Sequence, residues 1–250
     1  LINNNKASSY TGLCFDNAIN GTLTINDCQI CNNNSYSSGD CGIYLDDAVK
    51  NVSISETSIN KNKGTYCVGL YISSGVSESL TIENSEICEN EGLDSCGFSL
   101  QSGVKTVSLE NVSVNKNIAE YTSGLALNKV SQSLGVSNCM ICDNESSYSS
   151  TGFSISANGN ISSDIDELQI KNNKGDSDVG MYIDSDNNST FKCSFIDISN
   201  NVATAEDSVG LMPSSTTSLE FKSTTKVYGN KGVDANGKEI DANLHYPGDS

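Results

Sequence analysis

Apolar residues in this chain fall in short alternating runs, and the runs themselves recur. A glycine followed by an apolar–any–apolar triplet stands at Gly12, Gly42, Gly69, Gly97, Gly124, Gly152, Gly180 and Gly210, at spacings of 30, 27, 28, 27, 28, 28 and 30 residues. Each glycine is followed 17 or 18 residues later by Ile or Val, and three residues after that by Asn. The asparagines of this second motif are Asn33, Asn62, Asn90, Asn117, Asn144, Asn173, Asn201 and Asn230. Two motifs in fixed order through every repeat identify a solenoid, in which each unit buries its apolar edge only against its neighbours.

Within a repeat the alternation has the period of a strand. In the third repeat the runs are Leu70-Tyr71-Ile72, Leu80-Thr81-Ile82 and a short run ending at Ile87, joined by Ser-, Gly-, Asn- and Asp-rich turns. Leu70, Ile72, Ile82 and Ile87 are expected to point inward, and Tyr71 and Thr81 outward. A leucine-rich repeat shares the period but needs a helix or comparable segment after the Asn. The residues from Glu91 to Leu100 carry no helical stripe. The pattern therefore predicts an all-β chain, a parallel β-helix of about eight coils. Stacking aligns Leu13, Ile43, Leu70, Phe98, Leu125, Phe153, Met181 and Leu211 in one internal column. The asparagines form a second, structural column. Asn tolerates a left-handed corner, and its amide can bond both the turn and the next Asn.

Ile2-Asn3-Asn4-Asn5 matches Ile170 to Asn173, so Asn5 belongs to the same column and the sequence opens inside a coil. That reading places further coils upstream or an axially stacked subunit at this end, because open strand edges invite pairing. The solenoid spans 1–230. Residues 231–250, with Asn236-Gly237 and Pro247, read as a terminal segment or cap.

The glycine motif and the Ile/Val-x-x-Asn motif together resemble the polymorphic outer-membrane-protein repeats of chlamydiae, found also in other bacteria and some protists. There the first element is Gly-Gly-Ala-Ile and the second Phe-x-x-Asn. Here Cys41, Val68, Cys96 or Ser123 precedes the glycine, and Ile or Val replaces Phe. The resemblance covers about residues 1–230. It implies a right-handed, pectin-lyase-like β-helix and a surface-exposed, adhesin-like role.

Charge narrows the partners. The 250 residues carry a formal net charge of −17, all 14 basic residues are Lys, and there is one His, His245. Such a chain is repelled by phosphate backbones and anionic membranes, so neither nucleic acid nor a lipid surface is expected. No run approaches the roughly 18 apolar residues of a membrane span. No initiating Met or signal peptide is present, so a processed chain or a fragment is expected.

The ten cysteines do not form two CxxC pairs flanked by His, and disulfides in an oxidising compartment are expected instead. Cys31, Cys41, Cys67, Cys88 and Cys96 are the candidates. Cys41–Cys67 spans neighbouring coils, whereas Cys31–Cys41 and Cys88–Cys96 would each staple one loop. Cys31, Cys88 and Cys142 recur in alternate coils, a two-coil super-repeat.

Catalytic residues are not expected. Polysaccharide lyases of this fold need a base with cations, and glycosidases need two carboxylates roughly 5–10 Å apart. Asp46/Asp47, Asp164/Asp166 and Asp184/Asp186 are the nearest approach, read as exposed turn carboxylates that would at most hold Ca²⁺ loosely. No other metal or cofactor is expected. Tyr44, Tyr71 and Tyr182 follow a motif glycine by two residues, and Tyr10, Tyr36, Tyr66, Tyr121 and Tyr148 precede one. Such rows suit either stacking between coils or contact with a glycan or protein partner. Among the Asn-x-Ser/Thr sequons, Asn20, Asn51, Asn111, Asn160 and Asn188 are candidate glycan acceptors. Asn20, Asn160 and Asn188 share one predicted exposed turn, whereas Asn33 and Asn144 belong to the internal column. The expectation is an extracellular or cell-surface rod, structural or adhesive. A carbohydrate-active β-helix or a glycan-binding module using the Tyr rows is the alternative.

Overall fold

The structure is a computed structural model that describes residues 1–36, 39–148, 151–177, 179–186, 189–204, 209–233 and 238–243. Among them every regular element is a strand, and the strands stack in parallel into a β-helix of about eight coils.

Stacking puts like on like. The glycine-motif strands pair Leu13 with Ile43, Ile43 with Leu70, Leu70 with Phe98, Phe98 with Leu125, Leu125 with Phe153, Phe153 with Met181 and Met181 with Leu211. That is the internal column read from the sequence. Ile72, Ile82 and Ile87 are buried beside it, while Tyr71 and Thr81 stay partly exposed. Successive side chains of a strand point to opposite faces, so each coil contributes one apolar lining and one outward row. The lining merges into a single core running from Ile25 to Leu211.

The variable spacing has a local cause. In 27-residue coils one residue separates the first corner from the next strand, as in Val49 to Asn51 and Val104 to Thr106. In the 28-residue coil that starts at Gly69 two residues do so, from Val76 to Ser79. The extra residue is taken up as a bulge and the register recovers at once.

The motif glycines stand where coils approach too closely for a side chain. A Cβ on Gly97 would lie 2.0 Å from the Gly124 carbonyl oxygen, and one on Gly69 would lie 2.1 Å from that of Gly97. The same contact recurs at Gly42, Gly124, Gly152 and Gly180.

The asparagine column is an unbroken buried ladder. The Asn90 backbone N–H and its Nδ2 both donate to Asn117 Oδ1 at 3.1 Å, and Nδ2 also donates to Ile59 O at 2.9 Å. The pattern repeats at Asn33, Asn62, Asn117, Asn144, Asn173 and Asn201. Asn5 joins through its N–H and Nδ2, both directed at Asn33 Oδ1. One detail departs from the sequence reading. The left-handed residue at this corner is the one before each ladder Asn: Asn4, Asn32, Lys61, Glu89, Lys116, Asp143, Asn172 and Asn200, with φ of 54–58°, and Gly229, with φ of 65°. The ladder Asn keeps ordinary backbone and uses its amide to satisfy the groups that the corner leaves unpaired.

A second left-handed corner lies five residues upstream, at Asp27, Glu56, Asn84, Asn111, Asn138, Glu167 and Phe195. Sequence reading missed it, although a short polar residue recurs there in most coils. Beyond Asn230, Lys231–Val233 pairs antiparallel with Glu239–Asp241. Asn243 then supplies a further ladder rung, its Oδ1 accepting the Asn230 N–H at 3.0 Å. His245, Pro247, Asn236 and Gly237 lie outside the described residues.

Candidate binding faces of the rod

The Tyr rows are placed by register. Two residues after each motif glycine the column reads Cys14, Tyr44, Tyr71, Ser99, Ala126, Ser154, Tyr182 and Met212. Tyr44 and Tyr71 sit on adjacent coils with ring centroids 5.7 Å apart, and three coils separate Tyr182 from them. The row is thus a stacked pair and a distant third ring. The Tyr44 hydroxyl donates to Asp46 Oδ1 at 2.6 Å, and Cys14 Sγ donates to Asp16 Oδ1 at 2.7 Å one coil away. Burial, then the bond to Asp46, pushes the Tyr44 hydroxyl up, and burial raises Tyr71 to about 12.

Beside this pair lies Asp40, only 7% exposed, whose Oδ1 accepts the Cys67 backbone N–H at 2.7 Å. Burial pushes its carboxyl up, against the lowering effect of that bond. A carboxyl raised in the fold favours folding most when protonated. Its contribution is lost as pH rises through the ordinary carboxylate range to the raised value. Asp40→Asn keeps the acceptor and removes the charge. Its urea midpoint at neutral pH should therefore exceed that of the parent, and the gap should close in mild acid. A lower midpoint at neutral pH would show that the charge itself is needed.

The expected disulfides do not form: all ten cysteines are free. Strand alternation is the reason. Cys41 and Cys96 precede a motif glycine by one residue and point inward, into a cluster with Val68 and Ala119. Val68 occupies the coil between them. Cys67 precedes its glycine by two residues and so faces the opposite side from Cys41. Cys31 and Cys88 belong to the short strand beside the ladder. Cys31 Sγ lies against Ser58, whereas Cys41 Sγ donates to Lys63 O at 3.1 Å. The two-coil super-repeat is real in register, since Cys31, Asn60, Cys88, Asn115 and Cys142 alternate down one column. Asn60 and Asn115 accept the backbone N–H of Cys88 and Cys142.

Burial raises the thiols of Cys41, Cys67, Cys88, Cys96, Cys139, Cys142 and Cys193, and it raises Cys14 to about 12 with help from Asp16. Protonated thiols are poor nucleophiles. Iodoacetamide at mildly alkaline pH should accordingly leave Cys41, Cys67, Cys96, Cys139, Cys142 and Cys193 unlabelled in the native chain and label them after denaturation. Rapid native labelling of Cys67 or Cys96 would contradict this packing.

The carboxylate pairs are dispersed. Asp46 is held by Tyr44, and Asp47 Oδ1 accepts the Ala48 N–H at 2.7 Å. Asp164 and Asp166 share the outer face of Ser162–Lys171, and Asp184 and Asp186 lie one coil further on. Among the described residues no three His, Cys, Asp or Glu side chains converge to hold a metal ion.

Of the sequons, Asn20, Asn111 and Asn160 are exposed and Asn51 is half-buried, while Asn33 and Asn144 are buried in the ladder. Asn20 sits at the start of strand Ile19–Asn26 instead of in a turn. Asn111 belongs to an exposed amide chain, taking a bond from Asn138 and giving one to Asn84, which bonds Glu56 in turn. Asn188 lies outside the described residues. Glycopeptide mapping of secreted protein should find sugar on Asn20 or Asn160 and none on Asn33 or Asn144. Sugar on Asn33 would contradict the ladder.

A groove of about 470 Å³ runs along the short strands between the two left-handed corners, floored by Ser58, Asn60, Glu86, Cys88 and Asn115. A similar one of about 490 Å³ lies further along, beside Phe195, Gln169 and the Lys171–Asp197 ion pair. Comparison with protein-family models, curated proteins and solved structures found no significant match. Fold and register define the class directly: the chain is a parallel β-helix solenoid with an internal asparagine ladder.

Proposed function

We propose that this chain is a non-catalytic extracellular rod, structural or adhesive, forming part of a larger cell-surface protein or filament. In this reading it is a right-handed, pectin-lyase-like β-helix with repeats of the polymorphic outer-membrane kind. The observation that carries the proposal is the ladder. The inward asparagines are consumed in holding coil to coil, and outward columns vary from coil to coil on a rigid core. The buried thiols are raised out of the reactive range, which fits a scaffold better than a nucleophilic site. The donor–acceptor direction of the ladder is the same in every coil, so axial stacking of further coils or a second subunit would extend it without change.

Protease shaving of intact cells that make the protein tests the reading. Its peptides should be released before lysis, at loop sites between coils. Recovery only after lysis, or release of new reducing ends from a polysaccharide by the purified chain, would overturn the proposal.

A further inference from the structure

One loop face carries a concentration of exposed apolar side chains. Between the ladder and the glycine motif, Tyr66, Leu93, Ile118, Tyr121 and Tyr148 are each about half exposed. Register places them together. Cys67 bridges Ser95 and Ser95 bridges Thr122, so the residues just before them, Tyr66, Asp94 and Tyr121, follow one another along the axis. Tyr148 comes next, its ring 5.8 Å from that of Tyr121. The steps are about 4.8 Å each. Leu93 and Glu120 flank this row, Glu120 through the bond from its N–H to Leu93 O at 2.7 Å.

The charge on this face is acidic and partly unneutralised. Lys63 pairs with Glu91 at 2.5 Å and Lys174 with Glu145 at 2.9 Å. Asp94 and Glu120 make no ion pair among the described residues. Asp94 is half-buried at a position between Tyr66 and Tyr121 in the row, and burial is the influence that pushes its carboxyl up. A cation arriving there would find a carboxylate short of a counter-charge, with a half-exposed tyrosine on the coil to either side. A guanidinium plane stacks on tyrosine while its N–H groups reach a carboxylate. The net charge of −17 draws cationic partners to the rod in general, and this face adds the apolar contact that would retain one.

We propose that the strip Tyr66–Asp94–Tyr121–Tyr148 is a docking surface for an arginine-bearing basic segment of a partner protein. The proposal rests on the adhesive reading above and names the chemistry of its partner. A sugar hydroxyl needs only an acceptor, which Asp94→Asn would keep, whereas a guanidinium needs the negative charge.

The test is calorimetric titration of the purified chain with a tetra-arginine peptide at about 0.15 M salt, where long-range attraction is largely screened. Asp94→Asn and Tyr121→Ala should each weaken binding about tenfold. Glu220→Gln, an equal loss of charge on an exposed strand far along the rod, should change it less than about twofold. Equal weakening by Asp94→Asn and Glu220→Gln would reduce the effect to net charge and overturn the site. So would unchanged binding in both strip variants. All three substitutions lie at the surface, and matching urea midpoints would confirm that folding is intact. A negative titration removes the strip alone, because the shaving experiment judges the rod independently.

Discussion

Gly97→Ala should prevent normal coil stacking, and among single methyl additions it should be one of the most damaging the chain can receive. The new Cβ would lie 2.0 Å from Gly124 O and 2.2 Å from Ser123 O. Both are backbone atoms, so no side-chain rotation relieves the clash. The two coils must separate, and separation breaks the bonds across that interface, from Phe98 N–H to Gly124 O at 2.9 Å and from Cys96 N–H to Thr122 O at 3.0 Å. A loss of about 4 kcal/mol or more is expected, at the far end of single-site effects. The control is Gly135→Ala on the outer face of Leu125–Cys142, where the nearest atom to a Cβ is 3.9 Å away. Replacing glycine inside a strand without a clash should be neutral or stabilise by about 0.5–1 kcal/mol. Urea unfolding of both variants checks the pair. An unchanged midpoint for Gly97→Ala would mean that the coils are not stacked in this register.

Asn117→Ala should be nearly as harmful, for a different reason. Its side chain is fully buried, accepts from both the N–H and Nδ2 of Asn90, and donates to Ile87 O and Asn144 Oδ1. Alanine leaves the buried Asn90 N–H without its acceptor and takes one donor from Ile87 O, at a cost of about 1–3 kcal/mol for each group affected. A total of about 3 kcal/mol is expected. Asn111→Ala, which deletes a rung of the exposed amide chain, should cost less than about 1 kcal/mol, since water replaces the lost bonds. Similar losses at the two sites would mean that the buried column has no special role.

The fold was legible because a solenoid writes its register into the sequence once per coil. Leu13 through Leu211 could be aligned by counting, and so could Asn5 through Asn230. Legibility ended where a side chain's direction, not its spacing, decides the outcome. Cys41 and Cys67 sit on neighbouring coils, yet a one-residue offset from their glycines turns them to opposite faces. Tyr182 shares a column with Tyr44 and Tyr71, but Ser99, Ala126 and Ser154 fill the coils between. Asn243 escaped notice because it reaches the ladder after an antiparallel return, 13 residues beyond Asn230 instead of a full coil. The second left-handed corner was hidden by its tolerance: Asp, Glu, Asn and even Phe195 occupy it, so no single residue type marks it. The docking strip was visible in part. The tyrosines before five of the eight motif glycines stood out in the sequence, but the alignment of Asp94 between Tyr66 and Tyr121 depends on loop register that counting alone did not provide.

The central claim is that inward asparagines hold the coils together while the outer columns meet the surroundings. Side-chain amide hydrogen exchange, followed by NMR on labelled protein, tests it most directly. The carboxamide protons of Asn62, Asn90, Asn117, Asn144 and Asn173 should exchange only when the stack opens, orders of magnitude more slowly than those of exposed Asn20 and Asn160. Exchange of the ladder amides as fast as that of Asn20 would contradict the account.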